Sequence, residues 1–345
     1  MHDGATVSGG LGPVLPTRLE RRYPQRVVRI AVATVGDGPE QHGALDVFLR
    51  LARLDAVGEH ELTRDPESAD ALLVVNLQQL PDDPYLRALR QSPLVEAHFD
   101  KVYVYDQRDR PFFTFPGIYV SGAGRWARRL PLVGGPYPNL PNAPELANQA
   151  PDLLFSFLGA RTHPVRAGIL ALEHPRSIVE DTSALNCFPW VSDEDPDDRL
   201  RSARTRYRAV VGRSKFVLCP RGHGPSSFRL YETLCAGRVP VVISDDWLAP
   251  PRVNWGGCVL RVPERDVQRL PQILEEYETR WPIMVTAGQA AVSEHFSSTR
   301  LWHHIAASIT NLMQVRRPRT PWWAQSQVIR IWARTMVPSP KAWNR

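Results

Sequence analysis

Between Lys215 and Trp247 the chain reads KFVLCPRGHGPSSFRLYETLCAGRVPVVISDDW: an apolar run, a loop of glycines and serines, a helix-length run and a second apolar run. Phe216–Cys219 is a predicted strand and 220–225 a loop. Ser226 and Ser227 are suited to cap a helix over 228–236, Gly237 to stop it, and Val239–Ile243 is the next strand. Strands alternating with helices in this way form a parallel sheet covered by helices on both faces. Ligands of such sheets bind beyond the carboxyl ends of the strands. The loop directs backbone N–H groups and the positive end of a helix at its occupant, which favours an anion. Arg221 adds a planar charged fork, and Gly222 and Gly224 permit close backbone approach.

The same alternation extends in both directions. Val27–Val35, Ala71–Leu77 and Lys101–Asp106 read as strands; Leu45, Phe48, Leu49, Ala52 and Val57 have helical spacing, and DPYLRALRQ is a further helix. After a proline-rich stretch the pattern restarts with Leu153–Ala160, PVRAGILALEH, SIVED and the basic helix DRLRSARTRYRAVVGRS. GCVLRV is another strand, and helical runs follow it. The expected fold class is α/β, with two Rossmann-like βα domains and a helical C-terminus. The expected divisions are an arm at 1–25, an N-terminal domain at 26–135, a linker at 136–152, a C-terminal domain at 153–300, and helices with a basic aromatic tail at 301–345.

Composition narrows the function classes. No run of eighteen apolar residues exists, so no membrane-spanning helix is expected. The N-terminal arm lacks the apolar core of a signal peptide. The cysteines, Cys187, Cys219, Cys235 and Cys258, show no C-x-x-C spacing, and two sit inside apolar runs as reduced thiols would. Together these point to the cytoplasm. The formal charge is +6, but the arginines are scattered among acids rather than gathered in a stripe, so no nucleic-acid partner is expected. His303 and His304 are adjacent and cannot share one helix face, which reads as core or surface rather than ligation. No metal site is expected.

Arg229 and Glu232 lie three apart, opposite the apolar stripe Leu230, Tyr231, Leu234 and Cys235. Spacing alone fits either a solvated ion pair or a nucleotide contact, with the carboxylate on ribose hydroxyls and the guanidinium on phosphate. The stretch from Phe216 to Trp247, with LFSFLGARTHPVR upstream, resembles the signature of the exostosin family, glycosyltransferase family 47. The resemblance is dense over about 153–260 and looser in the N-terminal half, where KVYVYDQRDRPFFTFPGIYVS is similar to strand-and-loop segments of such enzymes. It implies a GT-B fold, two Rossmann-like domains facing a cleft, with the C-terminal one holding a nucleotide sugar, UDP-linked by expectation. It further implies transfer with inversion and no bound metal. Carried over residue by residue, it puts Glu232 on the nucleotide and Arg221, Arg229 and Arg161 on the diphosphate. It puts Gly222, Ser226 and Ser227 in the donor loop and Ser244, Asp245 and Asp246 beside the donor sugar. These last three also read as a turn that ends the strand.

Inverting transfer needs a base for the acceptor hydroxyl. Asp106 and Asp109, after a strand, are the first candidates, and His98 and His163 the next. Both aspartates also have arginine neighbours, Arg108 and Arg110, with which they would simply pair. Asp193 and Asp195 have D-x-D spacing, but in a proline-containing acidic run that reads as a solvated loop. The expected partners are a nucleotide-sugar donor and a glycan or lipid-linked acceptor. A relative that binds the sugar nucleotide or a glycan without catalysis is the alternative. Residues 316–345 mix arginines and tryptophans; they suit a helix packed across the two domains or a peripheral contact with anionic membrane at the inner face.

Overall fold

A computed structural model describes residues 27–36, 39–77, 85–140, 149–185 and 198–315. Two all-parallel sheets form the frame. The first has six strands: β1 (Arg29–Ala33), β2 (Glu61–Thr63), β3 (Ala71–Asn76), β4 (Val102–Asp106), β5 (Gly117–Tyr119) and β6 (Leu132–Gly134), in the order β2-β1-β3-β4-β5-β6. The second has five: β7 (Leu153–Gly159), β8 (Ser177–Asp181), β9 (Ser214–Pro220), β10 (Val239–Ile243) and β11 (Leu260–Arg261), in the order β11-β10-β9-β7-β8. β3, β4, β7 and β10 are buried along their whole length, which is why they read as unbroken apolar runs rather than alternating ones. Both sheets reverse direction of growth, at β1/β3 and at β7/β9, and such switch points open a crevice at the carboxyl edge.

The carboxyl edges of the two sheets face one another. Ala123, after β5, forms an antiparallel bridge with Trp247, after β10, and the Gly124 N–H donates to the Asp246 carbonyl at 2.8 Å. A Cβ on Gly134 would come within 2.1 Å of the Leu248 carbonyl oxygen, so only glycine allows this approach. This is a GT-B arrangement of two Rossmann-like units around a cleft. One apolar core runs through both units: Phe48, Leu73 and Tyr105 from the first share it with Val217, Tyr231 and Leu234 from the second.

Local chemistry sets the element ends. The helix Phe228–Cys235 stops in a Schellman motif: Gly237, at φ +63, donates to Leu234 O, and the Arg238 N–H donates to Thr233 O, each at 3.0 Å. Ser227 is its N-cap by backbone but makes no side-chain capping bond, contrary to the expectation for the serines. Three strands escape the sequence reading: β2, β5 and β6, each three residues long. The boundary with the expected linker, residues 135–137, is also firmly packed. Tyr105 donates its hydroxyl to Pro136 O, Tyr231 donates to Gly135 O, and the Tyr137 ring stacks on Phe228 at 3.8 Å. The helix Leu301–Gln314 is buried on nearly every side, with Trp302 and Ile305 in the shared core. No described helix is long and apolar enough to cross a membrane. The tail 316–345, the arm 1–25 and the Asp193/Asp195 spacing lie outside the described residues.

Candidate functional site

The β7/β9 switch point carries the charge. Arg166, in the first turn of the helix Pro164–Leu170, is 7% exposed. Its guanidinium donates to Arg221 O at 2.8 Å, Ala160 O at 3.0 Å and Pro220 O at 3.2 Å, tying the end of β7 to the end of β9. Burial and the nearby Arg229 pull its pKa down to about 9, so it stays charged at neutral pH. Arg229, in the first turn of Phe228–Cys235, donates to Leu158 O from Nε at 3.1 Å and Nη2 at 2.5 Å. It lies over the rings of Phe157 and Tyr207 at 5.5 and 5.9 Å. Both guanidinium groups bond to carbonyls rather than carboxylates. A cation in the first turn of a helix opposes the helix dipole, and here two do so at the same edge.

Glu232 is buried, 4% exposed, one turn beyond Arg229, and accepts a 2.7 Å hydrogen bond from the Tyr207 hydroxyl. Burial pushes its pKa up against the opposing pull of Tyr207 and Arg229. Its surroundings are therefore not those of a solvated ion pair. Arg221 sits 3.6 Å from Glu264 Oε1, and its Nε is buried without a partner. Thr162 Oγ1, Ser226 Oγ and Ser244 Oγ are likewise buried and unpartnered. These four atoms follow β7, β9 and β10, so unmet hydrogen-bonding capacity collects at the carboxyl edge where the arginines are. Buried polar groups in folded chains are ordinarily satisfied.

The remaining expected donor contacts divide. A Cβ on Gly222 would meet Arg166 Nη2 at 3.1 Å and Thr162 Oγ1 at 3.3 Å, so this glycine keeps the edge open. Asp245 exchanges hydrogen bonds with Glu264, accepting from its N–H at 3.0 Å and donating its own N–H to Oε1 at 3.1 Å. Asp246 pairs with Arg125 of the first domain. Both aspartates thus hold the turn and the domain contact, the structural alternative for this strand end. Arg161 is exposed and pairs with Asp181 at 2.6 Å, to the β8 side of the edge.

The geometry separates the candidate bases. Asp106 is 1% exposed and grips Arg108, itself 2% exposed; its Oδ1 accepts from Arg108 N and Nε, each at 3.0 Å, and Oδ2 from Nη2 at 2.5 Å. It is an internal counterion, and the pairing alternative describes it. Asp109 behaves differently. It is half-buried at the cleft, with Ser121 Oγ 3.5 Å from Oδ1. Burial raises its pKa while His223 and Arg166, both from the opposite domain, pull it down. A Cβ on Gly224 would come within 2.7 Å of the Asp109 carbonyl oxygen and 2.6 Å of Ser121 Oγ. The loop that follows β9 therefore lies directly against Asp109. His163 commits Nδ1 to the Val165 N–H as a helix cap. His98 is buried before β4, at the amino edge of its sheet, 3.7 Å from Glu67.

Arg166, Tyr207 and His223 are absent from the sequence-based set. The signal for Arg166 is available in retrospect: HPVRAG places an arginine where the helix dipole disfavours it.

Residues 135–277 match the Exostosin GT47 domain. The exostosin-1 homolog of Caenorhabditis elegans is 42% identical over 73 residues, 21% of this chain and 19% of that protein. The probable glucuronoxylan glucuronosyltransferase IRX7 of Arabidopsis thaliana is 45% identical over 71 residues, 20% of this chain and 16% of that protein. The chain thus spans less than a fifth of the length of these relatives. Among solved structures, AviGT4, a glycosyltransferase involved in avilamycin A biosynthesis, superposes with a TM-score of 0.43 at 14% identity, over 83% of this chain and 98% of that one. The fold sets two Rossmann-like units around a cleft with an anion-seeking edge on the second. Within that fold, residues 135–277, which span the second sheet, are similar to the Exostosin GT47 domain.

Proposed function

We propose that the protein transfers a sugar, with inversion at the anomeric carbon, from a UDP-sugar to a hydroxyl of a glycan or lipid-linked acceptor. The observation that carries this reading is the pair Arg166 and Arg229, two guanidinium groups at one switch point whose hydrogen bonds go to backbone carbonyls. Their charge is left for a ligand, and a departing diphosphate supplies the complement. Arg221, the open N-terminus of Phe228–Cys235 and the unpartnered hydroxyls of Thr162, Ser226 and Ser244 complete the anion site. Glu232 takes the ribose hydroxyls. Asp109, on the facing domain, takes the acceptor proton as the hydroxyl attacks, and its raised pKa suits that task.

With guanidinium groups and a helix end to meet the diphosphate, the donor site itself needs no metal ion. The test is turnover of a panel of UDP- and GDP-sugars, read by mass spectrometry, with and without EDTA. Transfer or hydrolysis of one UDP-sugar at equal rates in both is the expected outcome. Activity lost in EDTA and restored by Mn²⁺ would overturn the metal-free donor site. Thermal protection by donors without any turnover would favour a binding protein of the same fold.

A further inference from the structure

Away from the cleft, the loop between the helix Pro39–Leu54 and β2 meets the first turn of the helix Leu301–Gln314. The Ala56 N–H donates to Thr299 O at 2.8 Å, fastening the two segments. Gly58, at φ +65, turns the loop, and its N–H donates to Asp55 Oδ2 at 3.0 Å. This brings Glu59 and His60 against His303. The two imidazole rings stack at 5.7 Å with planes 19° apart, and His303 Nδ1 lies 3.7 Å from Glu59 Oε2. One ligand atom from each of Glu59, His60 and His303 falls within 4.8 Å of the others. His304, next in sequence, faces elsewhere, edge-on to His295 at 5.5 Å and Phe296 at 5.6 Å.

The hydrogen-bonding capacity of this cluster is unspent. His60 is 7% exposed, and neither ring nitrogen has a partner; Asp55 Oδ1 is buried and unpartnered as well. Buried polar groups without partners are costly, and a chain does not ordinarily concentrate them in one place. We propose that Glu59, His60 and His303 bind a zinc ion that clamps the C-terminal helix to the first domain. Two imidazole nitrogens and one carboxylate oxygen form a zinc donor set, whereas calcium and magnesium take six or more oxygens, many from water. In a tetrahedral zinc site the ligand atoms stand roughly 3.3 Å apart, so the three ligand atoms, now up to 4.8 Å from one another, draw together as the ion binds. Asp55 Oδ1 or a water completes the shell.

The test uses the full chain, stripped with a chelator and titrated first with Co²⁺, then with Zn²⁺. The expected result is one ion per chain, the intense visible bands of tetrahedral cobalt, bleaching on addition of zinc, and a Tm several degrees higher with zinc bound. His60→Ala and His303→Ala lose the bands and weaken binding at least ten-fold; His295→Ala, beside the cluster but outside the donor set, retains both. Glu59→Gln, on a partly exposed loop position, gives the same ten-fold loss in a variant whose fold is confirmed by circular dichroism. Absence of the cobalt bands in the wild-type chain, or unchanged metal affinity in Glu59→Gln and His303→Ala, would overturn the proposal. None of these readouts depends on transferase activity.

Discussion

At the end of β4 an aspartate and an arginine neutralise each other; at the ends of β7 and β9 two arginines bond only to backbone carbonyls. The two places are equivalent, since both are carboxyl edges of parallel sheets that face one cleft. The first edge satisfies itself: Asp106 and Arg108 are buried and bonded through two guanidinium nitrogens. The second holds two guanidinium groups bonded only to backbone carbonyls, beside unpartnered hydroxyls. Under the proposed function, the difference separates charge that serves stability from charge held for a ligand. Arginine content does not distinguish the two, but the nature of the acceptor does.

The sharpest way to break this comparison is at Asp109, the acid of the first domain that lacks a comparable arginine grip. Asp109→Asn is expected to lower kcat by about 10²–10⁴-fold, the range for losing a positioned base, with UDP affinity unchanged. Because burial raises the Asp109 pKa, the wild-type rate should fall as pH drops through that raised value. The acid limb then lies above the ordinary carboxylate range and disappears in the variant. A limb that persists in Asp109→Asn assigns the base to another group.

Asp106 should respond in the opposite sense. Asp106→Ala strands the buried Arg108 guanidinium and is expected to cost about 3–5 kcal/mol of stability, measured by denaturant unfolding. Surviving folded protein should bind UDP normally. A stable variant that binds but fails to turn over would return Asp106 to the reaction.

Across the cleft, Arg229→Ala removes a guanidinium group that hydrogen-bonds only to a backbone carbonyl. UDP affinity is expected to fall about 10–150-fold, the equivalent of 1.5–3 kcal/mol for hydrogen bonds to a charged group, by calorimetry. Its unfolding should change less than that of Asp106→Ala. Equal stability losses for the two would erase the contrast between the edges.

The sequence shows these features unevenly. The β9–helix–β10 unit is legible almost residue by residue, since a buried strand, an N-cap position, a glycine stop and a second strand each have their own local signal. β2, β5 and β6 are not, because three residues are too few to display a period, and their pairing is decided by the neighbouring strand. At the site, Glu232 and Arg229 stand out by position, yet their environment depends on Tyr207 and Leu158, which are distant in sequence. Asp106 and Asp109 look alike in YDQRDRP. The fold tells them apart: Arg108 closes on Asp106, while the facing domain brings His223 and Arg166 to Asp109. The histidines invite the same lesson: adjacency hides that His303 and His304 serve different neighbourhoods.

The smallest effect tests whether the open edge is open at a cost. Glu232 is buried, and burial raises its pKa. A carboxyl group whose pKa is higher folded than unfolded binds protons more tightly in the folded state, so keeping it ionised lowers stability as pH rises. Glu232→Gln retains an acceptor for the Tyr207 hydroxyl and removes the charge. Below the ordinary glutamate range, about pH 4.3, both forms of the protein are neutral there and should be equally stable. The variant's advantage should grow as pH climbs towards the raised pKa and level off above it. An advantage of about 1 kcal/mol corresponds to a Tm gain of about 2–4 °C for a domain of this size. Under the proposed role, the same substitution weakens UDP binding about five-fold, because a neutral acceptor holds ribose hydroxyls less tightly than a charged one. Stability gained while affinity is lost marks a carboxylate retained for its ligand. If Glu232→Gln lowers Tm at neutral pH and leaves UDP affinity intact, the residue is a structural partner of Tyr207 and the ribose assignment fails.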